Sequence, residues 1–319
     1  MTPNHLPPRA ADPTQDPIAD LLQVLNLQPA GRASAKLESD QRITHYVATD
    51  DIFIGKSQPM PHGRVFGGQV LAQVVMAAGL TMKDLDGPRR ALHSMHGYFL
   101  RPGDAGAPIV FAVERLRDGG SFSARRVHAL QEGKPIMSII LSFQVPAGGM
   151  DHQDPMPDVP SPESLPTLSE TIASSADGRR GEWITRRAID IRHCEGPLYS
   201  APAPERQSYQ HVWMRVAGML PDDQLIHQAV LAYAADFTLL ESVLRNHGMA
   251  WADPRLVPAS LDHSMWFHRP AKADDWILYA QRSPTATGGR GLGIGRMFGA
   301  DGTLVASVGQ EGMLRVRGM

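Results

Sequence analysis

The sequence predicts an α+β fold in which one unit is used twice, each copy a central helix wrapped by an antiparallel sheet. Three observations carry this reading. A short signature recurs: residues 93–102 read HSMHGYFLRP and residues 261–270 read LDHSMWFHRP, so His93-Ser94-Met95 returns as His263-Ser264-Met265 and Arg101-Pro102 as Arg269-Pro270, an offset of 168 to 170 (101 to 269, 93 to 263). Self-similarity at such a distance marks a duplicated unit. The order of elements also repeats: an apolar helical stretch, the signature strand, then three strand-like runs. Finally, the runs are separated by hairpin-turn residues, Asp118-Gly119-Gly120 and Glu132-Gly133-Lys134 in the first half and Asp301-Gly302 in the second.

In chain order, residues 1–16 are rich in proline and polar residues and are expected to be a disordered lead-in. PIADLLQVLNL at 17–27 predicts an amphipathic helix whose Leu21, Leu22 and Leu25 pack on the sheet. A strand over 43–49 precedes the helical stretch FGGQVLAQVVMAAGL at 66–80, where Val70, Val74, Ala77 and Ala78 fall at helical spacing. After the signature strand come runs over 109–117, 121–131 and 135–145, which complete a first repeat over 17–145. Residues 146–180, rich in Pro, Ser, Gly and Asp, lack apolar periodicity and predict a linker. The second repeat, 181–319, has a strand over 185–192 and a helix DFTLLESVLRNHG at 236–248, with Leu239, Leu240, Val243 and Leu244 on one face and Gly248 as the stop. Its strand-like runs are 275–283, 288–299 and 302–315, giving about five strands per repeat. A helix wrapped by one antiparallel sheet, present in tandem, is the double hot-dog arrangement, and joining the two sheets edge to edge covers strand edges that would otherwise be open.

Composition narrows the function. The 319 residues suffice for two units, and 42% hydrophobic with 20% charged residues is ordinary for a globular chain. A net charge of −2 with no basic run argues against a nucleic-acid partner. One cysteine, Cys194, excludes an intramolecular disulfide and an all-cysteine metal site, and reads as a small packed side chain. No basic-then-apolar leader, no apolar run of membrane-spanning length and no Ser-Lys-Leu ending is present, so the expected location is the cytoplasm, away from membranes.

At LDHSMWFHRP the chain resembles the acyl-CoA thioesterase II family, bacterial and peroxisomal. The likeness runs from about residue 18 to residue 315 and rests on FGGQVLAQ at 66–73, GGSFSARRV at 119–127, LAYAADFTLL at 231–240, LDHSMWFHRP itself and GQEGMLR at 309–315, in that order. The resemblance implies hydrolysis of fatty acyl-CoA to a free acid and CoA. It also implies a catalytic group of Asp236, Ser260 and Gln310, all from the second repeat, with serine where relatives often carry threonine. No cofactor and no metal are implied, the partner is the acyl-CoA substrate, and the sheets are expected to associate as a homo-oligomer, a dimer or tetramer.

These residue types suit the chemistry. A thioester needs a held water, base assistance and stabilisation of an oxyanion. An ionised aspartate only accepts hydrogen bonds and can take the proton of water, whereas a glutamine both donates and accepts. Asp236 is expected to open the second-repeat helix as its N-cap, where free N–H groups favour an anion. A plain N-cap, a loop serine at Ser260 and a surface glutamine at Gln310 are the bland readings of the same residues. Shifting by 169 sets Gly67 opposite Asp236 and Leu141 opposite Gln310, so one repeat is expected to hold the chemistry and the other to supply wall and scaffold.

Other features are weaker. His93 and His263 recur together, which favours a structural hydrogen bond. There is no H-E-x-x-H and no G-x-S-x-G, and GGRGLGIG at 288–295 sits within a meander, so its glycines are read as allowing close backbone approach. Arg101, Arg125, Arg126 and Arg269 are candidate contacts for CoA phosphates. Two rival functions stay open: a hydratase or dehydratase of enoyl thioesters, which wants an Asp–His pair, and a non-catalytic acyl-CoA sensor.

Overall fold

The computed structural model describes residues 16–37, 46–172 and 187–318. Residues 1–15 of the expected lead-in, 43–45 of the first expected strand, 173–180 of the expected linker, the start of the second repeat at 181–186 and Met319 lie outside the described residues.

Thirteen strands, all paired antiparallel among the described residues, form one continuous sheet. The first half contributes β1 (Gln28–Leu37), β2 (Tyr46–Gly55), β3 (Ala91–Phe99), β4 (Ile109–Asp118), β5 (Phe122–Gln131) and β6 (Lys134–Gln144). The second contributes β7 (Ile189–His193), β8 (Tyr209–Val216), β9 (Leu256–Ser260), β10 (Asp262–Phe267), β11 (Ile277–Thr287), β12 (Arg290–Gly299) and β13 (Leu304–Val316). The spatial order is β1-β2-β4-β5-β6-β3 followed by β10-β13-β12-β11-β8-β7, with β9 added to β13. The second list is the first reversed, strand for strand. At the seam β3 pairs with β10, and His96 lies opposite Ser264, its counterpart under the 168-residue offset of the two Arg-Pro pairs. Equivalent residues facing each other across an antiparallel pair define a local two-fold axis. This is the double hot-dog fold, with six strands in the path of each repeat, not five, because β1 and β8 extend the expected sheet.

The hairpins follow from the turn residues. Glu132 and Gly133 both take positive φ, 49° and 72°, the pair of left-handed conformations a two-residue hairpin loop demands. The central helix α2 (Gly67–Leu80) is buried on nearly every side, from Gly68 through Gly79. Its largely apolar sequence suits a helix enclosed by protein on all faces, and its one polar pair, Gln69 and Gln73, is buried, with Gln69 accepting from the Gln58 N–H and Gln73 donating to the Val24 and Lys56 carbonyls. At the start of the chain α1 (Pro17–Leu25) is capped by Asp16, whose side chain accepts from the Ile18 N–H at 3.0 Å, and buries Leu21 and Leu25 as expected.

Two expectations are corrected. The second repeat does not begin its helix at Asp236. Instead α4 (Gln224–Ala235) begins earlier, capped by Asp223 accepting from the Leu225 N–H at 3.0 Å, and a tight turn over 236–240 leads into α5 (Glu241–His247), which ends at Gly248 with φ 62°. The helix breaks where the chain presses onto the sheet. A Cβ added to Gly293 of β12 would lie 2.8 Å from the Leu239 carbonyl oxygen, and one on Gly291 would lie 2.6 Å from Val243. The glycines of GGRGLGIG therefore do permit close approach, as the sequence suggests.

The second correction concerns 146–172, expected to be a bare linker. It is a strap over the outer face of the second repeat's sheet, and it includes a short helix, α3 (Leu168–Ile172). Met156, Val159 and Leu165 pack against Trp213, Trp276 and Phe298. The indole N–H of Trp213 donates to the Pro160 carbonyl at 2.9 Å and that of Trp276 to Glu163 at 2.9 Å. Ion pairs Arg269–Asp151 and Arg296–Asp154 fasten the near end. The apolar periodicity of a helix or strand is absent from such a strap because each residue meets the sheet on its own terms.

Candidate active site

Three different elements converge on one point. Asp236 is the C-cap of α4, with φ −83° and ψ −7°. Ser260 ends β9, opposite Gly312 of β13. Gln310 lies on β13, opposite Gly293 of β12, and is 1% exposed. The Gln310 Nε2 amide donates to Asp236 Oδ1 and to Ser260 Oγ, both at 2.8 Å, and Ser260 Oγ stands 3.4 Å from the same Asp236 oxygen. The three residues singled out from the sequence thus form one hydrogen-bonded group. The buried amide is satisfied, which answers the question of why a glutamine sits in an otherwise apolar strand.

The N-cap expectation for Asp236 is replaced by a different arrangement. At the C-terminal end of α4 the backbone dipole opposes a negative charge. Compensation comes from the first repeat: the Gly68 N–H, in the first turn of α2, hydrogen-bonds to the Asp236 carboxylate. The N–H groups of a first helical turn have no intrahelical acceptor, so they are available to an anion. Gly67 is glycine for the same reason, since a Cβ there would lie 2.6 Å from Asp236 Oδ2. At Gly68 a Cβ would lie 2.4 Å from the Tyr233 carbonyl oxygen. The 169-residue shift that sets Gly67 opposite Asp236 is not an equivalence in the fold: Gly67 opens α2 whereas Asp236 ends α4, and the two meet because the helices pack antiparallel, start against end.

Beside them the rings of Phe66, Tyr233 and Phe237 form a cluster, with Phe66 and Phe237 stacked at 4.5 Å. Each repeat supplies a phenylalanine adjoining its site residue, Phe66 before Gly67 and Phe237 after Asp236. Asp236 keeps partial access to solvent yet is densely surrounded by protein. The dense surroundings dominate: burial pushes its carboxyl up to about 6, against the opposing pull of Gln310, the Gly68 N–H and Ser260. Tyr279, whose hydroxyl approaches the Ala235 carbonyl at 3.4 Å, is raised well above its ordinary value by burial and by the charge of Asp236.

Sequence reasoning missed two partners. Fully buried, His263 hydrogen-bonds through Nδ1 to Gln310 Oε1 at 2.8 Å, and burial pushes it down to about 4. His93, its match in the repeated motif, lies two residues out of register with it and bonds through Nε2 to Ser142 Oγ at 2.8 Å. The glycine pair at the start of α2 was the other omission, and its signal was FGG immediately before an apolar run. The arginines fare differently from expectation. Arg125 is fully buried and held by Thr81 Oγ1 and Asp118, so it is no phosphate contact. Arg126 pairs with Glu114 and Arg269 with Asp151, while Arg101 donates to the Pro135 carbonyl at the surface. Burial pushes the Cys194 thiol up to about 12, against nucleophilic use. No cluster of three metal-binding side chains occurs among the described residues.

Comparison with known proteins places these features in company. Residues 199–313 match the family model for "Acyl-CoA thioesterase", and residues 56–144 match that for "Acyl-CoA thioesterase N-terminal domain". The chain is 38% identical over 272 residues to Acyl-CoA thioesterase 2 of Haemophilus influenzae, covering 83% of this chain and 93% of that protein. It is 37% identical over 279 residues to human acyl-coenzyme A thioesterase 8, covering 84% and 86%. Among solved structures, an acyl-CoA thioesterase II from Mycobacterium marinum superposes with a TM-score of 0.69 at 39% identity, covering 94% of this chain and 98% of that one.

Proposed function

The chain belongs to the acyl-CoA thioesterase family and is a hydrolase, and we propose that it cleaves fatty acyl-CoA with one water molecule activated by Asp236 and positioned with Ser260 and Gln310. The observation that carries this reading is the hydrogen-bonded group itself: a carboxylate, a hydroxyl and an amide within 3.4 Å of one another, facing a helix N-terminus. The catalytic steps balance simply. Water adds its oxygen to the thioester carbonyl and gives its proton to Asp236. The tetrahedral oxyanion then collapses, the carbon–sulfur bond breaks, and Asp236 returns the proton to the CoA sulfur. Backbone N–H groups of the first turn of α2 lie beside the carboxylate and suit a developing oxyanion in the same place.

The second repeat, 181–319, holds the catalytic residue types; the first, 17–145, is a partner that supplies the helix N-terminus. No helix among the described residues is long and apolar enough to cross a membrane. We place the activity in fatty acid metabolism in the cytoplasm, carried by a homo-oligomer.

The test is release of CoA thiol from a panel of C4 to C18 acyl-CoAs. Turnover that falls by ~10²-fold or more in Gln310→Ala supports both the substrate class and the site, the scale expected when a water-orienting group is lost. No thiol release by the folded protein across the panel would move the reading to the hydratase or the acyl-CoA sensor.

A further inference from the structure

We infer that His263 is a positioning residue of the hydrolytic site, whose Nδ1–H holds the carbonyl end of the Gln310 side chain and so sets which end of that amide faces Asp236 and Ser260. The inference rests on the reading of the site given above. A glutamine amide has a donor end and an acceptor end of nearly the same shape, so its orientation must be imposed by its neighbours. With Nε2 turned to Asp236 Oδ1 and Ser260 Oγ, the Oε1 end points to His263 Nδ1 at 2.8 Å. The reversed amide would set a carbonyl oxygen against the carboxylate, two acceptors in contact. A proton on His263 Nδ1 excludes that reversal from the other side.

The imidazole shows which nitrogen carries the proton. Its surroundings keep it neutral, so only one nitrogen is protonated, and a contact to a carbonyl oxygen requires that it be Nδ1. Nε2 is then a bare acceptor, and it is buried with no hydrogen-bond partner among the described residues. A histidine placed only to stabilise the strand would be expected to satisfy both nitrogens. Here one is left unmatched while the other serves Gln310.

The duplicated unit supplies an internal control. In the first repeat Leu141, fully buried, stands where Gln310 stands in the second. The residue facing Leu141 across the strand pair is Met95, fully buried, so the first repeat sets an apolar pair where the second sets His263 beside Gln310. His93, the match of His263 in the repeated motif, lies two residues earlier, at a register shift between Leu92 and Ser94, and pairs with Ser142. A buried histidine stands at this position only in the repeat that has a glutamine for it to hold.

The experiment measures kcat and KM by CoA thiol release, with the best substrate of the C4–C18 panel, for His263→Leu and His263→Asn in the wild-type and Gln310→Ala backgrounds, with Tm alongside. We expect His263→Leu to lower kcat by ~10- to 100-fold with KM changed by less than ~3-fold, the pattern of a misplaced reacting group. His263→Asn, whose Nδ2 lies close to the position of the imidazole Nδ1, recovers most of that loss. In the Gln310→Ala background His263→Leu lowers the residual rate by less than about 2-fold, because no amide remains to be held. Equal losses in both backgrounds, or full kcat in His263→Leu, overturn the inference. If His263→Leu does not fold, imidazole ¹⁵N spectra of the wild-type protein decide: protonated Nδ1 is expected, and a proton on Nε2 overturns the assignment. Full activity of Gln310→Ala would instead mean that the reading of the site itself has failed.

Discussion

The two repeats share a backbone plan but not a chemistry. The second repeat places a carboxylate, Asp236, at the C-cap of α4, where the first has Thr81 at the C-cap of α2, and an amide, Gln310, where the first has Leu141. The difference is not that one repeat works and the other is filler. Gly67 leaves the room into which the Asp236 carboxylate reaches, and Gly68 donates an N–H to it. Antiparallel packing of α2 on α4 brings the start of one helix against the end of the other, so the glycines of the first repeat accommodate the carboxylate of the second. The outer faces diverge as well. The strap over 146–172 covers Trp213, Trp276 and Phe298 of the second repeat, while Tyr98 and Ile140 on the first remain exposed.

The largest effect should come from the position where the repeats differ most in charge. Asp236→Asn is expected to keep the fold and to lower kcat by ~10²-fold or more, the scale of a lost general base. Measured by thiol release, full activity in this variant would break the comparison, since the second repeat would then hold no privileged carboxylate. Next comes the matched pair Gln310→Ala and Leu141→Ala. The first should lower kcat with little change in Tm. The second should cost about 2–5 kcal/mol of stability through the cavity it leaves, with kcat of the folded protein unchanged. Denaturant unfolding beside steady-state kinetics separates the two, and a kcat loss in Leu141→Ala would mean that both repeats catalyse.

A smaller effect sharpens the role of the first repeat. Gly67→Ala keeps an ordinary helical residue but brings a methyl group 2.6 Å from Asp236 Oδ2, so the carboxylate or the helix must shift. We expect kcat to fall by ~10-fold, as sub-ångström to 1 Å displacements of a reacting group do, with Tm little altered.

The mildest dependence is on pH. Because Asp236 must be ionised to act as base, kcat/KM should rise with pH through about 6 and then level off. Stability runs the other way. A carboxyl raised above its unfolded value favours the fold when protonated, and that contribution is lost as pH rises from about 4 through about 6. Asp236→Asn should therefore be more stable than wild type at pH 8, by up to ~3 kcal/mol, with the gap closing near pH 4. Equal stabilities at both pH values would show that the carboxylate is better solvated than its surroundings imply.

Much of the fold was readable along the chain because turn residues and strand periodicity are local. β4, β5 and β6 lie within one or two residues of where hairpin signals put them, and the repeated His-Ser-Met strand is the seam of the molecule. Leu239, Leu240, Val243 and Leu244 keep helical spacing even where the chain turns, so periodicity sets the second-repeat helix too late, whereas Asp223 ahead of the apolar run from Leu225 marks its true start. Asp236, Ser260 and Gln310 were found through family resemblance; each alone had an ordinary structural reading. Recurrence of His-Ser-Met reads His263 as structural, but the two copies of the motif sit two residues out of register in the sheet, so that Met95, not His93, faces Leu141 as His263 meets Gln310.

Sequence by itself determined the duplication and the antiparallel meanders, and through family resemblance it named Asp236, Ser260 and Gln310 as candidates, since each of these rests on short-range pattern. Tertiary structure alone decided that Asp236 ends one helix and draws on the N-terminus of another. It also decided that Gln310 is oriented between a carboxylate and an imidazole, and that the segment between the repeats is a strap. The physical reason is the same in each case. Hydrogen bonds and burial at this site join residues from 24 to 74 positions apart in the chain and, across the two-fold axis, from different repeats, and no local pattern records which distant group a side chain will meet.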